Sequence, residues 1–141
     1  MASEAITRND LTNILNEVLP IGNNPVDYVI EQGSTTVGSI HWTYRKWNSG
    51  VAECWGYSPT ISANCSTAYG YGYYAGAQTN QNYPTDLFID VPRIIVVPIS
   101  GDGVYMGISA ITKVGFAFYP YCNASGSHYM RWDCHAIGWW K

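Results

Sequence analysis

Apolar and polar positions alternate along most of this chain, and the period of the alternation changes once. Over residues 7–20 the apolar positions Leu11, Ile14, Leu15, Val18 and Leu19 recur every three or four residues, which predicts one helix of about three turns. Thr7 with Asp10 three residues on fits a capping box at its start, and Pro20 with Gly22 ends it. Leu11, Ile14 and Val18 have the spacing of a coiled-coil seam. So short a helix is unstable alone, so the seam must pack on its own domain or on copies of itself, and self-association is the favoured reading. From Val26 the period falls to two, in short β-rich runs separated by Gly, Pro, Asn and Ser. The expectation is an all-β fold: an antiparallel β-sandwich over residues 26–141, preceded by a helix and linker over residues 1–25.

The densest run is Trp42 to Gly56, in which Trp42, Trp47 and Trp55 flank Asn48-Ser49-Gly50. That centre reads as a tight turn, so the run predicts a β-hairpin whose three indoles serve the core or a subunit interface. The run before it is expected to be a strand over Val26–Glu31 followed by a loop over Gln32–Ser39, and Gly101-Asp102-Gly103 reads as a second hairpin turn. Asn80-Gln81-Asn82-Tyr83-Pro84 reads as a loop, and the closing run, Trp132 to Lys141, as a strand held in a sheet.

Composition narrows the function classes. Only 12% of residues are charged, against roughly a quarter in an ordinary soluble domain, and 15% are aromatic, with six Trp and twelve Tyr. A surface poor in charge and rich in Tyr, Trp, Asn and Ser is that of a binding face or subunit contact. The seven basic residues are scattered and the net charge is −3, so nucleic acid is not an expected partner. No apolar run reaches the ~18 residues of a membrane helix, and membrane insertion is not expected. The first eight residues do not form a secretion signal, which points to synthesis in a reducing cytoplasm. Cys54, Cys65, Cys122 and Cys134 contain no Cys-x-x-Cys pair, so four free, half-buried thiols are expected.

The chain carries no catalytic signature around His41, His128 or His135, and no enzyme activity is expected. Glu53 and Asp133 are the one carboxylate pair placed to act as a glycosidase couple; a structural role, pairing with Arg45 or Arg131 or accepting from indoles, is the favoured reading. His128, Cys134 and His135 could together hold a metal, but a hydrogen-bonded histidine is the commoner case, so neither metal nor cofactor is expected. The best ligand-binding candidate is Tyr69-Gly70-Tyr71-Gly72-Tyr73-Tyr74 with the neighbouring Asn80, Asn82 and Tyr83. Read as a strand, it places Tyr69, Tyr71 and Tyr73 on one face. Tyrosine rings stack on the C–H faces of sugars while amides bond the hydroxyls.

Three stretches resemble the C-terminal domains of bacteriophage tail fibres and minor tail proteins: residues 6–20; Val26 to Gly33 running into Trp42–Gly56; and the ending Ala136-Ile137-Gly138-Trp139-Trp140-Lys141. The most specific is Ser49-Gly50-Val51-Ala52-Glu53-Cys54-Trp55-Gly56, similar to a Ser-Gly-aliphatic-x-x-x-Trp-Gly strand common in such fibres. Together they cover somewhat more than a third of the chain. The resemblance implies a homotrimer in the virion tail, made in the bacterial host cytoplasm, that contacts other phage tail proteins and recognises a bacterial surface glycan. A purely structural tail or baseplate component is the alternative, and a cell-wall or capsule hydrolase is a more distant one.

Overall fold

A computed structural model describes residues 26–141. The helix expected over residues 7–20, with Leu11, Ile14 and Val18, lies outside the described residues. The described chain is ten strands: β1 (Val29–Val37), β2 (Ile40–Trp47), β3 (Val51–Tyr57), β4 (Ile61–Tyr69), β5 (Gly72–Ala75), β6 (Thr79–Asn82), β7 (Arg93–Ile99), β8 (Val104–Ile111), β9 (Gly115–Cys122) and β10 (Gly126–Trp139). Every pairing is antiparallel.

The strands form one sheet in the order β1-β2-β3-β10-β4-β5-β9-β6, with β7 added to β10 and β8 to β9. Strand β10 joins the two halves. Its first five residues pair with β4, and the remainder pairs with β3 and β7. Because the halves share this strand, the sheet is a curled half-barrel more than two separate sandwich layers. The all-β antiparallel expectation holds; the separation into layers is what continuity through β10 alters.

Alternation sets the inside and outside of the curl. In β10, Met130, Trp132, Cys134 and Ala136 are buried while Arg131, Asp133, His135 and Ile137 are exposed. The core is aromatic: the rings of Trp42 and Trp132 lie 6.1 Å apart, Phe116 and Trp132 5.3 Å, and Trp42 and Tyr83 5.8 Å. Trp42 is thus a core residue, whereas Trp47 and Trp55 are half-buried and sit in outward register.

The aromatic hairpin forms as its sequence predicts. Gly50 closes the turn with φ 101°, and its amide donates to Trp47 O at 3.0 Å. The chain end is tied to this turn: Trp140 N donates to Gly50 O at 2.9 Å and Trp140 Nε1 to Trp47 O at 2.9 Å. Other expectations change. Residues 32–37 continue β1 instead of forming a loop, because Ser34 and Thr36 sit opposite Thr43 and His41 of β2. Gly101-Asp102-Gly103 is not a hairpin turn, since β7 and β8 belong to different halves; Asp102 instead accepts from Tyr129 N at 3.0 Å. The four cysteines are not all free. Cys65 and Cys122 both point into the core from β4 and β9, which flank β5, and form a disulfide with Cα atoms 6.1 Å apart; Cys54 and Cys134 remain buried thiols.

Candidate functional site

The predicted tyrosine segment is not a strand but a hairpin. Tyr69 pairs with Gly72, so Gly70-Tyr71 is a two-residue turn, and Gly70 takes the positive φ of 57° that its first position needs. The turn reverses the chain after Tyr69. Tyr69, Tyr71 and Tyr73 therefore do not share one strand face. Tyr71 stands fully exposed at the tip, and Tyr73 turns inward and packs against the core. Tyr69 and Tyr74 face outward, where they meet two residues that local sequence could not place beside them, Tyr119 and Tyr121 of β9.

Register explains the meeting. In β9, Phe116, Phe118 and Cys122 face the core, which turns Ala117, Tyr119 and Tyr121 outward. Tyr74 lies opposite Tyr121 across the β5–β9 ladder, and Tyr105 of β8 lies opposite Tyr121 on the other edge. Ring centroids are 5.8 Å apart for Tyr74–Tyr119, 6.0 Å for Tyr74–Tyr121 and 5.9 Å for Tyr69–Tyr121. Gly107 makes room for this platform: a Cβ there would lie 2.5 Å from Tyr121 Cε2.

Farther along β9 the same face drops into a hollow of about 220 Å³. Its floor is Ala117 and Gly115, and its flanks are Asn80 and Asn82 of β6 with Ala110 and Thr112. Gln78 Nε2 donates to Asn80 Oδ1 at 3.0 Å, which holds one amide in place. The expected loop over residues 80–84 is thus half strand, and its asparagines project to the outer face because they pair with Ala117 and Gly115. Tyr83 departs from the predicted set. It is 2% exposed, wedged between Trp42, Phe88 and Phe116, and belongs to the core. Aromatic platform and amide-lined hollow thus share one outer face, with little charge on it.

The other half carries the charged groups. Glu53 binds Arg45 Nε through Oε1 at 3.3 Å and His135 Nε2 through Oε2 at 3.2 Å, so both oxygens are engaged as a structural pairing requires. Arg45 also lies 4.7 Å over the Trp55 ring. His135 faces out and Cys134 faces in, so these neighbours cannot share a metal on one side of the sheet; His128 Nε2 lies 2.9 Å from Ala124 O.

No protein-family model matches the chain, and no curated protein sequence matches it. Two solved structures share its fold. The chain superposes over 96% of its length on a C-terminal fragment of the R1 pyocin fibre of P. aeruginosa, with a TM-score of 0.57 and 9% identity, and spans 32% of that fragment. It superposes over 91% of its length on an N-truncated R1-type pyocin tail fibre, with a TM-score of 0.52 and 8% identity, covering 95% of that chain. At such identities the likeness is one of fold, and the fold is of the tail-fibre type.

Proposed function

We propose that this chain is a non-catalytic receptor-binding, or adhesin, domain of a phage-tail-type particle. It is made in the bacterial cytoplasm, carried on the virion tail, and recognises a bacterial surface saccharide through the outer face of β9. The carrying observation is the conjunction on that face of Tyr69, Tyr74, Tyr119 and Tyr121 with the hollow flanked by Asn80 and Asn82. Rings of this kind cover the apolar face of a pyranose, and amides both donate to and accept from its hydroxyls. The tail-fibre fold supports the setting.

The working unit in this reading is a homotrimer, with residues 1–25 contributing the Leu11, Ile14 and Val18 seam and residues 26–141 the binding domain. A second surface supports self-association. Strand β7 is apolar on both sides: Ile94 and Val96 pack on the core, while Ile95 and Val97 face out at 67% and 51% exposure. That same face favours the alternative reading, a structural tail component buried against other tail proteins.

Adsorption separates the two. Purified full chain is mixed with bacterial cells and with surface polysaccharide extracted from them. Tyr119→Ala, Tyr74→Ala and Asn82→Ala are each expected to lower adsorption at least tenfold with the fold intact. A parent protein that is trimeric by light scattering yet adsorbs to neither cells nor polysaccharide would favour the structural role.

A further inference from the structure

The other half of the sheet has an outer face that this reading leaves unused. Its ladders align side chains in rows across five strands. One row runs Thr36, His41, Tyr57, Asp133 and Val97; the next runs Ser34, Thr43, Trp55, His135 and Ile95. The third includes Gln32, Arg45 and Glu53. Within the middle row Ser34 and Thr43 are short, while Trp55 beside them and His41 and Arg45 on either side are long. The short pair therefore becomes a floor. Two hollows meet there, of about 400 and about 440 Å³, and share Ser34, Thr43 and Trp55 as lining. Both fall in the size range of small-ligand sites.

We propose that this trough, floored by Ser34 and Thr43 and walled by Trp55, is a second saccharide subsite that takes one neutral pyranose ring. The proposal rests on the reading of the chain as a saccharide binder. Trp55 supplies an apolar wall for the C–H face of a pyranose, which packs on the part of the half-buried indole that Arg45, 4.7 Å over the ring, leaves open. The opposite side is built of groups that both donate and accept, as a sugar hydroxyl requires. Ser34 Oγ and Thr43 Oγ1 lie 3.3 Å apart, Thr36 Oγ1 and His41 Nδ1 3.0 Å apart, and the Gln32 amide closes one end. Charge decides between a neutral and an anionic sugar. The guanidinium at the rim, Arg45, is already matched by Glu53 at 3.3 Å and stacked on Trp55, so among the described residues no unmatched Lys or Arg lines the trough to hold a phosphate or carboxylate. Trp55 also divides the trough from a more apolar hollow lined by Ile95 and Val97. Sugar contact and subunit contact can therefore occupy opposite flanks of one indole.

The test is a titration of the full-length protein, ¹⁵N-labelled, with methyl glycosides of glucose, galactose, N-acetylglucosamine and rhamnose. The reporters are the Trp55 indole N–H, identified with Trp55→Phe, and the amides of Tyr74 and Tyr119. At least one glycoside is expected to move the Trp55 signal saturably. Ser34→Leu and Thr43→Leu, two independent ways to fill the floor, are each expected to weaken that response at least tenfold and to leave the Tyr74 and Tyr119 responses unchanged. Should Tyr74 and Tyr119 respond while Trp55 stays still, the trough is no site, and the reading of β9 stands without it. Should Trp55 respond alone, the trough stands and the β9 reading falls. Silence of all reporters overturns both. A Trp55 signal that follows protein dilution and ignores every glycoside marks the face as a subunit contact and also overturns the proposal.

Discussion

Replacing Gly56 by alanine tests how Trp42 is seated in the core. Gly56 is not at a left-handed position; it is glycine because another residue occupies its side-chain space. A Cβ built there would lie 2.5 Å from Trp42 Cε3, 2.8 Å from Trp42 Cδ2 and 2.8 Å from His41 O. Carbon atoms pack best at about 3.5–4.0 Å, so something must move by about 1 Å. The indole has nowhere to go, being 1% exposed and held by Tyr83 and Trp132. The carbonyl of His41 belongs to β2, whose ladder with β3 pairs His41 with Tyr57. Overpacking of this kind costs about 1–3 kcal/mol, and with a ring and a backbone atom both in the way the expected loss is about 3 kcal/mol. For a domain of this size that lowers Tm by roughly 10 °C. The assay is urea unfolding of Gly56→Ala beside Gly101→Ala, whose added methyl would meet nothing within 4 Å. The control is expected to stay within about 0.5 kcal/mol of the parent. A Gly56→Ala loss below about 1 kcal/mol, or one equal to that of the control, would refute the packing argument.

Three further outcomes follow from the core. The Cys65–Cys122 disulfide closes a separation of 57 residues, so reduction, or Cys65→Ser with Cys122→Ser, is expected to cost about 4 kcal/mol, read as a lower urea midpoint with and without reductant. Tyr83 Oη is buried with no hydrogen-bond partner among the described residues, so Tyr83→Phe is expected to be neutral or to stabilise by about 1 kcal/mol; a loss above that in thermal unfolding would restore a role for the hydroxyl. Burial pushes the Cys134 thiol up to about 12 and raises that of Cys54 as well, against an ordinary value of about 8.5. Because these folded values are raised, their contribution is complete below about pH 8.5 and lost as pH rises towards about 12, which unfolding curves between pH 8 and 11 will display as falling stability.

The hairpin Trp42–Gly56 and the closing strand were legible because their signals are local: a Gly-bearing turn, strict alternation and dense aromatics. The tyrosine hairpin misled because Tyr-Gly-Tyr-Gly-Tyr satisfies the strand period and the turn rule equally well, and only the pairing of Tyr69 with Gly72 decides. Asn80 and Asn82 were identifiable as amides near that segment, but Tyr119 and Tyr121 come from a strand about fifty residues away in sequence, and no local pattern joins them to Tyr74. Tyr83 follows two asparagines and looks like loop; its burial comes from tertiary contact with Phe88 and Phe116. The Cys65–Cys122 bond was hidden for the same reason, since β4 and β9 are not neighbours in the sheet but lie on either side of β5.

The central claim is that the outer face of β9 binds saccharide, and a glycan array tests it most directly. The parent protein is predicted to bind a defined group of bacterial surface glycans, with little dependence on salt because charge is scarce on that face. Tyr74→Ala with Tyr119→Ala, folded by circular dichroism, is predicted to lose those same spots. Binding retained in full by that double variant, or no binding by the parent to any bacterial glycan on the array, would contradict the account.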